Sequence, residues 1–215
     1  MSEVECERYW AKLFGQASVA LAGASDAQLR VQLFDVLDEF FKDSNCWQET
    51  IPLVVVPDAL VYPIMVLSGR IVRLNGVLDQ NNVAQQAVMP EPGTLQFLYP
   101  YSNTQEMSVV VVKTVTDPLL CYPPYIPEWV LPTYFTGLLR GLMGYMMMQP
   151  GQSYSNDKLG NFHLIKFRDT ISHARVATKK ANTIGAQAWA YPQGFRTFNQ
   201  RGGVSTTNTH PGTLR

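Results

Sequence analysis

Histidine, cysteine and the carboxylic acids are the side chains from which active sites are usually built, and here their spacing serves chemistry poorly. His163 and His173 fall on one predicted helix, ten residues apart and about 80° apart around its axis, so they cannot share a metal ion. His210 lies in the terminal tail, and all three read as surface or partly packed histidines. Cys6, Cys46 and Cys121 are odd in number and form no CxxC. That excludes a zinc ribbon or a redox pair and makes a reducing compartment the default. Asp38 and Glu39 are adjacent, so on a helix they point in different directions and suit a solvated face better than an acid/base pair. No GxSxG, HExxH, GxGxxG or GxxxxGK pattern occurs. The Gly-rich run "RGGV" at 201–204 follows no strand and opens no helix, so it makes a poor phosphate cradle. No nucleophile, base and orienting group can be assembled into a set. The reading is a non-enzyme with no cofactor and no metal.

What remains for function is the end of the chain. "WAYPQGFRTFNQRGGVST", from Trp189 to Thr206, has no helical or strand period. Arg196 and Arg201 can each fork onto a carboxylate. Trp189, Tyr191, Phe195 and Phe198 are rigid apolar anchors of the type that dominates interfaces. The segment lacks the apolar density to fold alone, so it is expected to bind another protein. Single-stranded nucleic acid is a lesser reading, because aromatics and Arg also stack on bases. The formal net charge of zero weighs against it.

The elements that would position this arm follow from composition and period. At 215 residues, 46% apolar and 16% charged, the chain can fill a real core. Its charge is polarised: nine acids against four bases in the first fifty residues, and nine bases against Asp169 alone from Lys158 onward. Such polarity suits head-to-tail contacts between copies. An opening helix is expected from Ser2 to about Gln16, with Tyr9, Trp10, Leu13 and Phe14 on its apolar side. A second is announced by Ser25 and Gln28 as a capping box. Leu29, Leu33, Val36, Leu37, Phe40 and Phe41 follow at helical spacing, and 43–45 stop it. The middle is β-rich: "ETIPLVVV" turned by Pro57 and Asp58, "RIVRLNGVL" with Asn75-Gly76 as a hairpin turn, then "TLQFLYP" and "MSVVVVKTV". Pro90, Pro92-Gly93 and Ser102-Asn103 act as breakers, while Pro52 and Pro63 suit sheet edges. An antiparallel sheet or small sandwich is expected over about 48–116. Helix returns at Leu131–Met148, apolar on most faces. At "YFTGLLRGLMGYMMM" it is too short for a membrane span, and Arg140 interrupts it. Gly137 and Gly141 should let another backbone approach. After the turn Gln149-Pro150-Gly151, a helix capped by Asn156 or Asp157 should run to about residue 185. Leu159, Phe162, Ile165 and Ala174 are expected on its inner side, with Lys166, Arg168, Asp169 and Lys179 outside. "YMMM" at 145–148 reads first as core filler. The whole is α+β: one domain over 1–192 in which N- and C-terminal helices bundle around an inserted antiparallel sheet, and an extended arm over 193–215.

These segments, in this order, resemble the head-to-tail adaptor (connector) proteins of tailed bacteriophages. "LFDVLDEFFKDSNCWQETIPLVVVPDALVYPI" is similar to the adaptors' early helix, with a Trp near its end, leading into the β insert. "GRIVRLNGVLDQ" resembles the strand and hairpin that follow. "IPEWVLPTYFTGLLRGLMGYMMMQPGQSYSNDKLGNFHLIKFRDTISHARVATKKAN" resembles their paired C-terminal helices, and "AQAWAYPQGF" with "QRGGVS" the extended tail of a podophage-type branch. The resemblance implies a ring, typically of twelve copies, beneath the portal in the virion neck, assembled in the host cytoplasm. Such a ring lengthens the DNA channel without specific DNA binding and offers a platform to a downstream tail or nozzle protein. The arm would then reach into portal subunits through Trp189, Tyr191, Phe195, Arg196, Phe198 and Arg201. Some podophage adaptors are associated with cell-wall hydrolysis, which gives the alternative of a tail-associated hydrolase. No carboxylate pair or metal cluster here supports carrying that over.

Overall fold

A computed structural model describes residues 3–116 and 124–181, all within one compact unit, Met1–Asn182. Four helices and seven strands follow in the order α1 (Glu3–Ala20), α2 (Asp26–Ser44), β1 (Gln48–Val55), β2 (Val61–Pro63), β3 (Arg70–Asp79), β4 (Ala84–Gln85), β5 (Ala87–Glu91), β6 (Thr94–Phe97), β7 (Gln105–Thr114), α3 (Val130–Met147) and α4 (Asp157–Ala181). The protein is α+β, with helices from both ends of the sequence gathered around one core and the strands inserted between them.

The first helix runs past its expected stop at Gln16, because Ala17 and Leu21 continue the buried row of Trp10 and Leu13. The second starts where its cap dictates. Ser25 Oγ accepts from the Gln28 amide while Gln28 Oε1 accepts from the Ser25 amide. All six apolar residues read as its stripe are fully buried. Asn45 ends it in the left-handed conformation at φ 58°, one of the few that Asn tolerates.

The insert is two antiparallel sheets, ordered β1-β7-β3-β4 and β2-β6-β5. They share a core of Val55, Tyr62, Ile71, Val77, Leu95, Phe97, Met107, Val109 and Val111. Pro52 and Pro63 lie on edge strands, as expected. The hairpin expected at Asn75-Gly76 is not there. The strand runs straight through the pair, which slips one residue against β7 as a bulge, between Leu74↔Val111 and Gly76↔Val110. Neither residue takes a positive φ. The chain turns at 80–83 instead. There Asp79 Oδ1 accepts from the amides of Asn81 and Val83 at 2.8 and 2.9 Å, and Asn82 takes φ 60°. A carboxylate gathering loop amides supplies the turn that the Asn-Gly signal promised elsewhere. Pro90 likewise breaks nothing. It sits within β5, at a register shift on the edge of the smaller sheet.

Alternating burial along β7 gives way to continuous burial from Val111 to Val115, because this end is covered by the sheet core on one side and by α2 on the other. Lys113 is caught in that zone. Its ammonium meets Glu49 at 2.5 Å and Ser68 Oγ at 3.2 Å, and lies 4.8 Å from the Trp47 ring centre. Gly69, at φ 72°, is required beside it: a Cβ there would meet the Thr114 carbonyl at 2.5 Å.

Helix α3 packs on all three other helices. Its glycines do not act as expected. Gly137 receives the Thr170 side chain, and Gly141 receives Val36 and Phe167, so both are notches for side chains. The close backbone approach is one turn on, where a Cβ on Gly160 of α4 would stand 3.2 Å from the Gly144 carbonyl. Met146 and Met147 are core filler, as read, while Met148 is exposed. Asn156 is the cap of α4, accepting from the Leu159 amide at 3.1 Å.

Helix α4 is rotated from its expected setting. Its inner row is Gly160, Leu164, Phe167, Ile171 and Ala174. Leu159, Phe162 and Ile165, read as inner, are 40%, 50% and 49% exposed, with Val176 at 50%. Only Ala174 of the expected set faces the core. The inner row needs Gly160 where the helices touch, and a reading led by large side chains passes over it.

Two outcomes check these placements by urea unfolding. Phe167→Ala should lower stability by about 3–5 kcal/mol, whereas Phe162→Ala should stay within about 0.5 kcal/mol; equal effects would refute the rotation. Glu49→Gln, which strands the Lys113 charge, should cost about 3 kcal/mol. Glu49→Leu combined with Lys113→Met should recover most of that loss.

Candidate assembly surfaces

The arm residues Trp189, Tyr191, Phe195, Arg196, Phe198 and Arg201 lie outside the described residues, as do His210, Cys121, the RGGV run and the boundary at 192–193. Among the described residues, the sequence-flagged groups separate. His163 is half-buried on α4, its Nδ1 without a hydrogen-bond partner. Burial, and secondarily the Arg140 charge, hold its pKa below the usual value. His173 is exposed on the same helix. Cys46 is half-buried after α2, and burial pushes its thiol up to about 11 even though Ser44 bonds to it. Such a thiol is a poor nucleophile at neutral pH. Among the described residues no three His, Cys, Asp or Glu side chains gather where a metal ion could sit, and no helix is long and apolar enough to cross a membrane.

Asp38 and Glu39 do point apart, yet they are no solvated face. Glu39 accepts from the Tyr145 hydroxyl of α3. Asp38 accepts from Lys42 on its own helix, from Arg70 of β3 at 2.9 Å and from Thr114 Oγ1 of β7 at 2.8 Å. Arg73 adds bonds to the Lys42 carbonyl and the Asn45 side chain. Asp38 is therefore a joint between bundle and sheet, while Glu39 ties α2 to α3. A sequence pattern could not place it, since its partners lie 32 and 76 residues away.

Two helical surfaces differ in character. The outer side of α4 carries the Leu159, Phe162, Ile165 and Val176 ridge, set among the helix's six bases. A cleft of about 370 Å³ beside it, between α3 and α4, is lined by Arg140, Lys166, Asp169 and His173 among others. Lys166 and Asp169 pair there at 3.5 Å. On the outer side of α2, Val31 is exposed one turn from exposed Asp35, with exposed Arg30 next to it. The ridge was legible in principle, since apolar residues at 162, 165 and 176 form a row opposite the 160, 164, 167, 171, 174 row at 100° per residue, with Leu159 on its flank.

No protein-family model matches the chain, and no curated protein sequence matches it either.

Asp35 and Asp38 titrate in opposite senses. Burial, with Asp38 nearby, raises the Asp35 carboxyl above 3.8. The folded state then binds that proton more tightly than the unfolded chain, so ionising it costs stability as pH rises from 3.8. For Asp38, burial pushes upward, but bonds from Lys42, Thr114 and Arg70 outweigh it and hold the carboxyl below 3.8. Its contribution is present above 3.8 and is lost as pH falls through the depressed value. Urea midpoints across pH should therefore show Asp35→Asn stabilising at pH 7, with the gain fading toward 3.8 and below. Asp38→Asn should destabilise at pH 7, with the deficit shrinking below 3.8. Matching signs would contradict the assignment.

Proposed function

We propose that this chain is a structural, non-enzymatic head-to-tail adaptor of a tailed-phage virion. On this reading copies form a ring under the portal, extend the DNA channel and present a platform to a tail component. The observation that carries the proposal is α4 itself. One side of the helix fills its own core, while the other keeps four apolar side chains in water among bases, as a subunit built to be covered by a neighbour would. The architecture agrees with the resemblance, because helices from both ends of the sequence bundle around a β insert. Portal attachment falls to the arm, whose aromatic and Arg residues supply anchors that repetition around a ring multiplies into tight attachment.

Deleting 193–215 should abolish capture of the purified protein by portal rings in a pull-down, with the helical circular dichroism of the remainder unchanged. Capture that survives the deletion would remove the arm from the mechanism.

A further inference from the structure

We propose that the cleft between α3 and α4 binds a sugar phosphate, with Arg140 and Lys166 on the phosphoryl group and Thr133, Thr136 and His173 toward its hydroxyl-bearing body. The site stands apart from the adaptor reading, since it needs neither ring nor portal.

Each helix turns a polar row to the cleft. Thr133, Thr136, Gly137 and Arg140 recur on α3 at i, i+3, i+4 and i+7, and Lys166, Asp169, Thr170 and His173 repeat that spacing on α4, so each set shares one side of its helix. The helices run antiparallel, since Gly137 meets Thr170, Gly141 meets Phe167 and Gly144 meets Leu164. Arg140 and Lys166 therefore share one end of the cleft, and Thr133 and His173 the other. Between the ends, Thr170 seated on Gly137 closes the floor. The space left is about 370 Å³, within the range of small-molecule sites.

Arg140 carries the argument. It is the one charged residue of α3. It is half-buried, and among the described residues its guanidinium has no hydrogen bond or ion pair. Five donors drawn partly out of water without a partner cost stability. Lys166 brings a second positive charge to the same end. The one acid lining the cleft, Asp169, stands 3.5 Å from the Lys166 ammonium and is 58% exposed. So exposed a pair is weak, and the ammonium is available to a stronger anion. The Arg140 charge is felt nearby as well: after burial, it is what holds the His163 pKa below the usual value.

The donor set selects the anion. A carboxylate is satisfied by a guanidinium fork alone. A phosphoryl group carries close to two negative charges near neutral pH and three acceptor oxygens, which suits a fork with an ammonium beside it. Seven residues of helix span about 10 Å, longer than a phosphoryl group, so the ligand extends from it. At the far end the exposed hydroxyls of Thr133 and Thr136 and the exposed His173 imidazole call for a body that hydrogen-bonds, as a sugar does. That sugar phosphate is either a free metabolite or a unit of a nucleic-acid backbone.

Titration calorimetry on the full-length protein, with ribose phosphate, a duplex oligonucleotide and succinate as probes, tests the site. The wild type should bind a phosphate probe saturably, with a Kd of about 1 mM or tighter. Arg140→Gln should weaken binding at least about tenfold and Lys166→Gln at least about threefold. Lys158→Gln, on the same helix but outside the cleft, should leave binding unchanged. Binding should also move the imidazole NMR resonances of His173. Circular dichroism verifies each fold, and Lys166, with 42% of its side chain exposed, decides the matter should Arg140→Gln not fold. Ribose phosphate bound at least as tightly as the duplex assigns the site to free sugar phosphates. Binding of the duplex alone, lost in Arg140→Gln and kept in Lys158→Gln, assigns it to the backbone of nucleic acid; both results uphold the site. The proposal is overturned if neither phosphate probe binds by about 10 mM, or if the cleft variants bind like the wild type. It is equally overturned if Lys158→Gln loses as much as they do, or if succinate binds as tightly as the phosphate probes.

Discussion

Pairing of β1 with β7 is what lets the two ends of this sequence meet. The bundle needs α2 against α3 and α4, yet the whole β insert lies between them. Antiparallel register, from Gln48↔Val112 to Val55↔Gln105, brings the entry and exit of the insert side by side. The excursion therefore closes at its base, and the entropy of holding its ends together is met by sheet bonds instead of by the helices. Around that base the fold concentrates its polar contacts. Asp38 draws in Lys42, Arg70 and Thr114, while Lys113 is wedged between Glu49 and the Trp47 ring. Trp47 itself packs on Phe41 of α2, so one residue belongs to both halves. A charge buried as deeply as Lys113 is tolerable only while its partner stays in place, which ties the register of β1 to that of β7.

With the insert anchored, α2 has two sides in use, one on the helices and one on the sheet. Its third side, with Val31 and Asp35, is left to water. Helix α4 stands in the converse position. Glycines at 144 and 160 bring it close to α3, which sets Leu164, Phe167 and Ile171 as its inner row. Its large residues near the N-terminus are thereby turned outward. The same close approach that consolidates the bundle creates the ridge, and the assembly reading follows from packing as much as from composition.

Much of this fold was legible in the residues. The capping box of α2, its stripe of six, the β-rich middle, the edge prolines and the Asn156 cap all act through contacts within a few positions of themselves. What failed did so where distant residues decide. Asn75-Gly76 carries a strong local turn signal, but eight residue pairs with β7 override it and leave only a bulge there. Asp38 looked like a solvent-facing acid because its partners come from two strands. The setting of α4 was misjudged because both of its sides are apolar, and only the contact with α3 decides between them. The arm, which drew most of the functional weight from sequence, falls beyond the described residues, while the ridge that the structure exposes was hidden inside a helix read the wrong way round.

The places where local rules are broken share a pattern. A folded protomer gains nothing from keeping Phe162 and Ile165 in water, nor from an Asp35 whose carboxyl is held against its preference. Sequences that satisfy every level of design avoid both, and natural ones depart from consistency mainly where function requires it. Covering the outer side of α4 would take Phe162 and Ile165 out of water, and the assembly reading rests on that cost alone.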